Sequence, residues 1–518
     1  MQLRDYVTSC ARRFPDKAAY VHGTTRRSWR AVHERSDRFT AALQALGFSK
    51  GDRIGVLSHN RIEIVEHWFA CLKGGYHRVG INWRYSVREL LHVTRDADVA
   101  AILVDAACIA GFESHLEELR HEGRVLIGFG PDHGLEHDYE TLLAGAGVAS
   151  YPEMDGEDLC MVAYTSGTTG MPKGVMLSHR AVLETSIHTV LELGFRYDDV
   201  RAYVSNPSGL NIFQVCFNTF TGMTTVLDDF ETHRFLDLVR EHRITCVTLI
   251  PTMIARVVDA VRVGHHDVSS LRQIYYGSMP STPALIRAGH ETLGCSFVQG
   301  YGVSESCGPM AGLTTEDHHR ALNGEPEILK SVGQAFSYAA MDIRDDEGHS
   351  LPAGESGTVW LRCNTLMTGY LNLPAETAEC LMPPWYKTGD FGYMDKRGYV
   401  FLADRKKHMI ISGGMNIYPT SIENILTEHH AVREVVVVGV PHPAWGEAVA
   451  AAVTLKPGMR VSVEDLIVHC NGRLPRWEIP KYLEIVGELP KGNTDKLDKR
   501  AVAQGLIGSG RLPWKIEN

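Results

Sequence analysis

The stretch YTSGTTGMPKGV, residues 164–175, combines glycines, hydroxyl side chains and a lysine in a way that suits a polyphosphate. Glycine tolerates positive φ angles and lets a ligand approach the main chain closely. The hydroxyl groups add hydrogen-bond donors, and the lysine adds a positive charge. An apolar run at residues 159–163 predicts a buried strand that leads into this loop. The loop residues predicted to bind a nucleotide are Thr165, Ser166, Gly167, Thr168, Thr169, Gly170 and Lys173.

A flexible surface loop has a similar composition, so the stretch alone leaves that alternative open. The Walker A phosphate loop is excluded, because Pro172 stands where that motif requires glycine and Gly174 where it requires Ser or Thr. The loop instead resembles the signature loop of the adenylate-forming superfamily, which includes acyl- and aryl-CoA synthetases, adenylation domains and luciferases. This resemblance implies that the loop holds the phosphates of ATP, that Lys173 is catalytic, and that Thr165 helps to bind Mg²⁺.

A second motif, QGYGVSESCG at residues 299–308, lies where a strand is predicted to end. Ligands bind at such strand ends in open α/β sheets, although packing would explain Tyr301 alone and an exposed loop acid would explain Glu305 alone. The motif resembles the superfamily's Tyr-Gly-x-Ser/Thr-Glu sequence. That resemblance implies that Tyr301 stacks on adenine, Ser304 contacts phosphate and Glu305 carries Mg²⁺. With the GSMP turn at residues 277–280, the predicted nucleotide site gains Gly277, Ser278, Tyr301, Gly302, Ser304 and Glu305.

The sequence YKTGD, residues 386–390, supplies an aspartate suited to a ribose. A carboxylate accepts hydrogen bonds from both ribose hydroxyls. A single TGD sequence means little, since aspartates are common in turns. The resemblance to the superfamily's Thr-Gly-Asp motif implies that Asp390 is the ribose ligand and that Arg405 lies beside it.

The stretch DRKKHMIISGG, residues 404–414, resembles the superfamily's hinge and the start of its small C-terminal domain. The resemblance places the hinge at Lys407, and it places Gly413 and Gly414 on the path by which a thiol approaches. His408 departs from the pattern, since members commonly carry an acid at this position.

A lysine-rich loop, LPKGNTDKLDKR at residues 489–500, would usually be exposed surface. It resembles the superfamily's segment that ends in Gly-Lys, and Lys496 takes the place of the catalytic lysine. Asp495 replaces the usual glycine, and an acid beside the lysine weakens the positive field at a phosphate.

The acyl pocket is predicted from three stretches, residues 206–213, 248–253 and 275–279. The aromatic-histidine pair that superfamily members often carry is missing from NPSGLN, residues 206–211. The first stretch also lacks an acid to pair with an α-amino group, which disfavours a standard amino acid. Beyond a carboxylic acid, we expect an aryl or medium-length acyl group. The residues predicted on the substrate and thiol path are Asn206, Gly209, Phe213, Met253, Tyr276, Met279, Gly413 and Gly414.

The elements that position these residues alternate between helix and strand. Strands are predicted at residues 53–57, 199–205, 244–250 and 274–276, with helices at 180–193 and 251–263. Residues 333–402 are rich in turns and short strands and predict an antiparallel subdomain. We therefore expect an α/β fold, with a large domain of layered, mostly parallel sheets with helices and a β-rich subdomain, and a small α+β domain. The resemblance to the superfamily's hinge implies that the large domain spans residues 1–406 and that the small domain, 407–518, is mobile.

Composition limits the classes of function. The chain has 518 residues and a formal net charge of −10, which argues against general nucleic-acid binding. No apolar run approaches the ~20 residues that span a bilayer, and the N-terminus lacks a signal segment. The 11 cysteines include no CxxC pair, and the adjacent histidine pairs lack partners at metal-site spacing. These features predict a soluble protein of the reducing cytoplasm.

Five motifs in the superfamily's order imply an ATP-dependent enzyme that converts a carboxylic acid into an acyl-adenylate and releases pyrophosphate. The implied second step transfers the acyl group to coenzyme A. Two alternatives stay open: transfer to the phosphopantetheine of an acyl carrier protein, or to a non-thiol nucleophile. A catalytically inactive relative that only binds ligand would carry a lesion in the loop, in Glu305 or in Lys496, and all three are intact.

Overall fold

The computed structural model describes residues 2–165, 171–279, 281–405, 408–492 and 496–514, without the side chains of residues 404, 405 and 416. Its α-helices are α1 (Leu3–Arg13), α2 (Trp29–Ala45), α3 (Ile62–Gly74), α4 (Val87–Asp96), α5 (Glu113–His121), α6 (Tyr139–Gly145), α7 (His179–Leu193), α8 (Phe217–Thr221), α9 (Thr232–His242), α10 (Pro251–Val263), α11 (Pro283–Leu293), α12 (Thr315–Leu322), α13 (Pro374–Cys380), α14 (Pro419–Thr427), α15 (Val463–Cys470) and α16 (Lys499–Gly508).

The strands follow the same chain order. They are β1 (Ala18–His22), β2 (Thr25–Ser28), β3 (Arg53–Leu57), β4 (His77–Ile81), β5 (Ala101–Asp105), β6 (Val125–Phe129), β7 (His137–Asp138), β8 (Leu159–Thr165), β9 (Lys173–Ser178), β10 (Val200–Tyr203), β11 (Thr224–Leu227), β12 (Cys246–Leu249), β13 (Gln273–Gly277), β14 (Ser296–Val303), β15 (Gly308–Leu313), β16 (Gln334–Ala335), β17 (Ala339–Arg344), β18 (Ser356–Cys363), β19 (Gly369–Tyr370), β20 (Leu381–Met382), β21 (Trp385–Met394), β22 (Val400–Arg405), β23 (Ile410–Ser412), β24 (Met415–Ile417), β25 (Val432–His442), β26 (Gly446–Leu455) and β27 (Tyr482–Ile485).

Two mostly parallel sheets form the large domain. One has the strand order β16-β15-β14-β13-β12-β10-β11-β1-β2, and the other has the order β19-β9-β8-β4-β3-β5-β6-β7. Antiparallel pairing is confined to the ends of these sheets, at β1–β2, β14–β15–β16 and β8–β9–β19. This arrangement confirms the predicted layered α/β fold.

Local sequence signals explain where several elements begin. The Ser28 and Ser178 side chains accept hydrogen bonds from the N–H groups of Ala31 and Ala181, so each caps its helix, α2 or α7, as serine does at helix N-termini. Pro251 occupies the first turn of α10, where its missing N–H leaves no hydrogen bond unmade. The structure confirms the predicted bounds of α10 and of β3.

The helix α3 differs from its sequence pattern. The segment around residues 64–72 predicts an amphipathic helix, yet α3 is buried along its whole length, including Glu66, His67 and Lys73. The cause is its position, because α3 contacts β1 of one sheet and β3 and β4 of the other. A helix between two sheets has no face left for solvent.

The structure contains both the predicted β-rich subdomain and the predicted small α+β domain. Antiparallel strands β17, β18, β21, β20 and β22 form the subdomain. In the small domain, β24-β23-β26-β25 with β27 form a sheet whose apolar residues pack against α14, α15 and α16. Among the described residues, no helix is long and apolar enough to cross a membrane.

Candidate active site

A cavity of about 2110 Å³ opens beyond the carboxyl ends of β10, β12, β13 and β14, and the small domain lines its other side. This edge of a parallel sheet is where α/β proteins bind ligands. The cavity brings together residues from nearly every predicted motif: Thr165, Lys173, Asn206, Gly209, Phe213, Met253, Gly277, Ser278, Met279, Tyr301, Gly302, Ser304, Glu305, Asp390 and Lys496.

The predicted phosphate loop is the connection of a β-hairpin. Strands β8 and β9 pair in antiparallel fashion, and Thr165 lies opposite Lys173 at the end of the ladder. The pairing therefore fixes both residues at the rim of the cavity. The predicted ligands between them, Ser166 to Gly170, lie outside the described residues.

Glu305 lies on a short 3₁₀ helix, Ser304–Ser306, immediately after β14. The Tyr370 hydroxyl donates to Glu305 Oε1 at 2.5 Å, and the Tyr386 hydroxyl lies 3.5 Å from the Tyr370 hydroxyl. Burial, followed by the charge of Glu305, raises the pKa of both tyrosines, so both stay protonated. The Nζ atom of Lys173 lies 5.6 Å from the centre of the Tyr370 ring. One aromatic side chain thus contacts a predicted metal ligand and a predicted phosphate ligand.

Asp390 lies on β21, where it faces β14. Its Oδ2 accepts a hydrogen bond from the Tyr301 hydroxyl at 2.6 Å, and its N–H donates to the Thr388 hydroxyl at 3.0 Å. The backbone of Arg405 on β22 pairs directly with Asp390. The predicted adenine and ribose ligands are therefore in contact, as neighbouring parts of one nucleoside require.

Glycines allow the main chain of this region to pack closely. A Cβ atom on Gly302 would lie 2.0 Å from the Gly308 carbonyl oxygen, and one on Gly277 would lie 2.3 Å from the Gly300 oxygen. Ser278, directly after Gly277, has a φ of 67°, which is uncommon outside glycine. The turn that carries Gly277 and Ser278 to the cavity therefore has an unusual backbone.

Lys496 reaches the cavity from the small domain. Its carbonyl oxygen accepts the Gly492 N–H at 2.8 Å, and an antiparallel bridge joins Lys491 to Leu497. The side chain is exposed, so its ammonium group can meet a ligand from the solvent side.

The chemistry of these groups fits ATP and Mg²⁺. Mg²⁺ prefers oxygen ligands and usually binds through one or two carboxylates together with substrate phosphates. Glu305 and the Thr165 hydroxyl supply such oxygens, while the described residues contain no cluster of three or more His, Cys, Asp or Glu suited to a metal. Lys173 and Lys496 add the cations that a triphosphate requires, and the Asp390 carboxylate suits ribose hydroxyls.

One predicted pocket residue does not line the cavity. Tyr276 is 1% exposed, and its hydroxyl lies 3.0 Å from Nε2 of His318, on the opposite face of the sheet. Its neighbour Tyr275 lines the cavity instead. Adjacent residues of a strand point to opposite faces, so within the predicted stretch 275–279 it is Tyr275, and not Tyr276, that lines this cavity.

The predicted thiol path also lies elsewhere. Gly413 and Gly414 form the turn between β23 and β24, with φ values of 57° and 81°, and they do not line the cavity described here. The Gly413 N–H donates to the Trp445 carbonyl at 2.9 Å. His408, which departs from the superfamily pattern, does line the cavity. The predicted hinge residue, Lys407, lies outside the described residues, so the boundary at 406/407 stays a prediction.

The sequence interpretation missed Tyr370 and Tyr386 as parts of the site. Tyr386 begins the motif at residues 386–390, but no local pattern marks Tyr370, because its hydrogen bond to Glu305 joins positions 65 residues apart in the chain. Tyr386 reaches this group only through the Tyr370 hydroxyl.

Comparison with protein families identifies the family of the chain. The family described as AMP-binding enzyme matches residues 7–371, and the AMP-binding enzyme C-terminal domain matches residues 421–496. The chain belongs to the AMP-binding enzyme family. It is thus an adenylate-forming enzyme, and the resemblance that the motifs predicted is confirmed.

Known proteins are similar to this chain over more than nine tenths of its length. The fatty acid–[acyl-carrier-protein] ligase ScoC of Streptomyces coeruleorubidus is 31% identical over 93% of this chain and 92% of its own. The feruloyl-CoA synthase of an Amycolatopsis species is 32% identical over 95% of this chain and 96% of its own. The structure of the amide bond synthetase McbA from Marinactinospora thermotolerans superposes with a TM-score of 0.85 at 28% identity, covering 96% of this chain and 99% of that one. These relatives differ in the group that accepts the acyl moiety.

Proposed function

We propose that this AMP-binding enzyme activates a small carboxylic acid with ATP and then transfers the acyl group to the thiol of coenzyme A, as an acid–thiol ligase. The observation that carries the proposal is the shared cavity, in which Lys173, Glu305 and Asp390 from the large domain face Lys496 from the small domain. Two cations and two carboxylates at a strand-end cavity match the needs of a nucleoside triphosphate.

In the first step, an oxygen of the substrate carboxylate attacks the α-phosphorus of ATP. The bond between that phosphorus and the bridging oxygen breaks, and pyrophosphate leaves with the electron pair. Two anions must approach each other, so Lys173 and Lys496 lower the barrier by holding positive charge beside the phosphates. Asp390 fixes the ribose. Mg²⁺, held by Glu305 and Thr165, supplies further charge neutralisation when it is bound.

In the second step, a thiol attacks the carbonyl carbon of the adenylate, and AMP leaves. We infer that Lys496, which serves the first step, must leave the adenylate before a thiol can enter, so the small domain would rotate about Lys407 between the two steps. The names of two relatives support a thiol acceptor, either coenzyme A or a carrier protein, whereas McbA is named for an amide product. A carrier-protein phosphopantetheine is therefore the second candidate acceptor, and an amine is the third.

Pyrophosphate exchange with a panel of carboxylic acids tests the first step, and mass spectrometry after addition of coenzyme A, carrier protein or an amine tests the second. Formation of AMP and an acyl-CoA from an acid that supports exchange is the expected result. If an acid supports exchange but coenzyme A yields no thioester, the acid–thiol ligase proposal fails while adenylate formation stands.

The variant Lys496→Ala tests the role of the small domain. Loss of one preorganised contact to the transition state raises the activation free energy by about 2.7–4 kcal/mol, so the rate of pyrophosphate exchange should fall by about 100- to 1,000-fold. Transfer of the acyl group from a supplied acyl-adenylate should persist. Lys499→Ala is the matched control, since Lys499 is held by Glu423 in an ion pair at 3.1 Å. Wild-type exchange in Lys496→Ala would contradict the assignment.

A further inference from the structure

A pair of side-chain amides lies on the short 3₁₀ helix Leu210–Cys216, which follows β10 in the chain. Asn211 and Gln214 are three residues apart, and side chains at that spacing stack on one side of a 3₁₀ helix. The Gln214 Nε2 atom donates to Asn211 Oδ1 at 3.1 Å. Both residues line the cavity, but Gln214 is only 5% exposed, whereas Asn211 is half-buried. The pair therefore leads from the protein interior to the cavity.

A buried arginine fixes the orientation of both amides. Arg201 on β10 is fully buried, and its guanidinium donates to the Gln214 carbonyl oxygen at 3.1 Å and to the Gln214 side-chain oxygen. A guanidinium can only donate, so Gln214 Oε1 must face Arg201 and Gln214 Nε2 must face Asn211. The atom of Asn211 that accepts this bond must be Oδ1. Its Nδ2 group is then the outer end of the chain of hydrogen bonds.

The Asn211 Nδ2 group donates to no acceptor within the described part of the chain. Asn206, another amide that lines the cavity, differs in this respect. Its Nδ2 donates to Asn82 Oδ1 at 2.9 Å, and its Oδ1 accepts from the N–H group and the hydroxyl of Ser208 at 2.9 and 2.7 Å. Asn206 thus holds the loop together, whereas Asn211 has a donor available for a ligand.

The charge of Arg201 strengthens that donor. The ionisable groups that act on Arg201 are a thiol and phenols, such as Cys246 and Tyr203, so no carboxylate among the described residues balances its charge. Hydrogen bonds in a chain polarise one another, and a buried cation at the inner end makes each N–H group further out a stronger donor. The Asn211 Nδ2 group therefore suits an oxygen acceptor.

We propose that Asn211 determines substrate specificity by donating a hydrogen bond from Nδ2 to an oxygen on the acyl body of the acid. The substrate class is a carboxylic acid whose aryl or acyl group carries an ether, carbonyl or hydroxyl oxygen. This inference rests on the proposed function, because it assigns this wall to the acyl group. Asn206, Gly209 and Phe213, which are predicted to line the acyl pocket, flank Asn211 in the chain and line the same cavity.

Other acyl groups fit this wall less well. A plain alkyl or aryl group that excluded water would leave the Asn211 Nδ2 group without an acceptor, which is costly for a buried donor. An ammonium group offers no acceptor and would approach the unbalanced charge of Arg201. An oxygen atom satisfies the donor and is attracted by the same charge.

The test uses shape-matched pairs of acids with the full-length enzyme. The pairs are 2-, 3- and 4-methoxybenzoate, each with the ethylbenzoate of the same substitution, and 7-oxooctanoate with octanoate. The measured quantity is the ratio of kcat/KM for pyrophosphate exchange within each pair. Because a donor left unpaired in a site without water is penalised, the wild type should prefer the oxygen-bearing member of at least one pair by about 10-fold. A wild type without such a preference overturns the inference.

Two variants of Asn211 separate the donor from the fold. Asn211→Asp keeps an oxygen that accepts from Gln214 but puts a second oxygen in place of Nδ2, and Asn211→Leu removes both polar atoms. Each variant should reduce the preference to about 2-fold or less. A purely structural role of Asn211 would lower kcat/KM for both members of a pair and leave their ratio unchanged, so an unchanged ratio in both variants overturns the inference.

The variant Gln214→Glu tests the orientation without altering Asn211. The glutamate carboxylate would accept from Arg201 with one oxygen and face Asn211 with the other, so the Asn211 amide would turn and donate inward. Its Oδ1 atom would then face the cavity, and the preference for the oxygen-bearing acid should disappear. A Gln214→Glu enzyme that folds and keeps the wild-type preference contradicts the inferred orientation.

Calorimetric titration of the same acids separates this inference from the proposed function. If no acid supports exchange, the proposed function fails. The inference still stands if an oxygen-bearing acid binds more tightly than its matched partner and Asn211→Asp abolishes the difference. Equal binding within every pair, or no binding of any acid, overturns it.

Discussion

Replacing Tyr370 with phenylalanine should slow adenylate formation by removing the hydrogen bond that orients Glu305. The Tyr370 hydroxyl donates to Glu305 Oε1 at 2.5 Å, whereas its ring lies beside the ammonium group of Lys173. Phenylalanine keeps the ring and therefore keeps the contact with Lys173. The substitution thus isolates the hydroxyl group.

The size of the effect follows from the charge and burial of the pair. A hydrogen bond to a charged group contributes about 1.5–3 kcal/mol, and the half-buried position of Glu305 places this one toward the lower value. About 1.4 kcal/mol corresponds to a tenfold change in rate, so we expect a loss of about 10- to 30-fold in the kcat of exchange. The concentration of Mg²⁺ needed for half-maximal activity should rise, because a freely rotating carboxylate binds the ion less well.

The assay is pyrophosphate exchange with a saturating acid, measured over a range of Mg²⁺ concentrations. Tyr386→Phe is the matched control, since its hydroxyl is 3.5 Å from that of Tyr370 and this longer contact should contribute less than about 3-fold. A Tyr370→Phe enzyme with wild-type kcat and wild-type Mg²⁺ dependence would refute the positioning role. Equal losses in the two variants would indicate a general packing defect instead.

Three further predictions concern other parts of the molecule. Asp390→Asn should raise the KM for ATP by about 10-fold in steady-state kinetics with little change in kcat, because the ribose loses a charged acceptor; an unchanged KM would count against the ribose assignment. Lys407→Pro should slow thioester formation far more than exchange, whereas Lys407→Ala should not; equal loss of both steps would argue against a hinge. Burial lowers the pKa of His318 to about 4, so the unfolded chain binds a proton first as the pH falls below about 6.5. The free energy of unfolding should then fall between pH 6.5 and about 4, by up to about 3 kcal/mol from this residue, and urea titrations of His318→Gln should show a flatter dependence on pH.

The sequence predicted the order of the elements well where the local signals are strong. Pro251 marks the start of α10, and Ser178 caps α7, since both act within one turn of the helix. The strand β3 was placed correctly because it is a short apolar run. The antiparallel subdomain and the small domain followed from turn-rich composition and from alternation of helix and strand.

Features that depend on the whole fold were not predictable. Tyr275 and Tyr276 point to opposite faces of β13, and only one of these faces lines the cavity. The alternation of side chains along a strand does not show which face will be covered by helices and which will line a cavity. The complete burial of α3 depends on the second sheet. The hydrogen bond from Tyr370 to Glu305 joins β19 to the short 3₁₀ helix after β14, two elements that are distant in the sequence, so no local pattern predicts it.

The sheets tie early and late parts of the chain together. Strand β1 pairs with β11, with Tyr20 opposite Thr225, and strand β19 pairs with β9, with Tyr370 opposite Val175. While the chain is being synthesised, β1 can pair at once with β2, but it must wait for some two hundred residues before its second neighbour, β11, emerges from the ribosome, and such delayed pairing slows folding. The edge of the phosphate-loop hairpin is covered later still, when β19 arrives. A fragment that ends before residue 369 would leave that edge open to other chains, so such a fragment is poorly suited to stand alone.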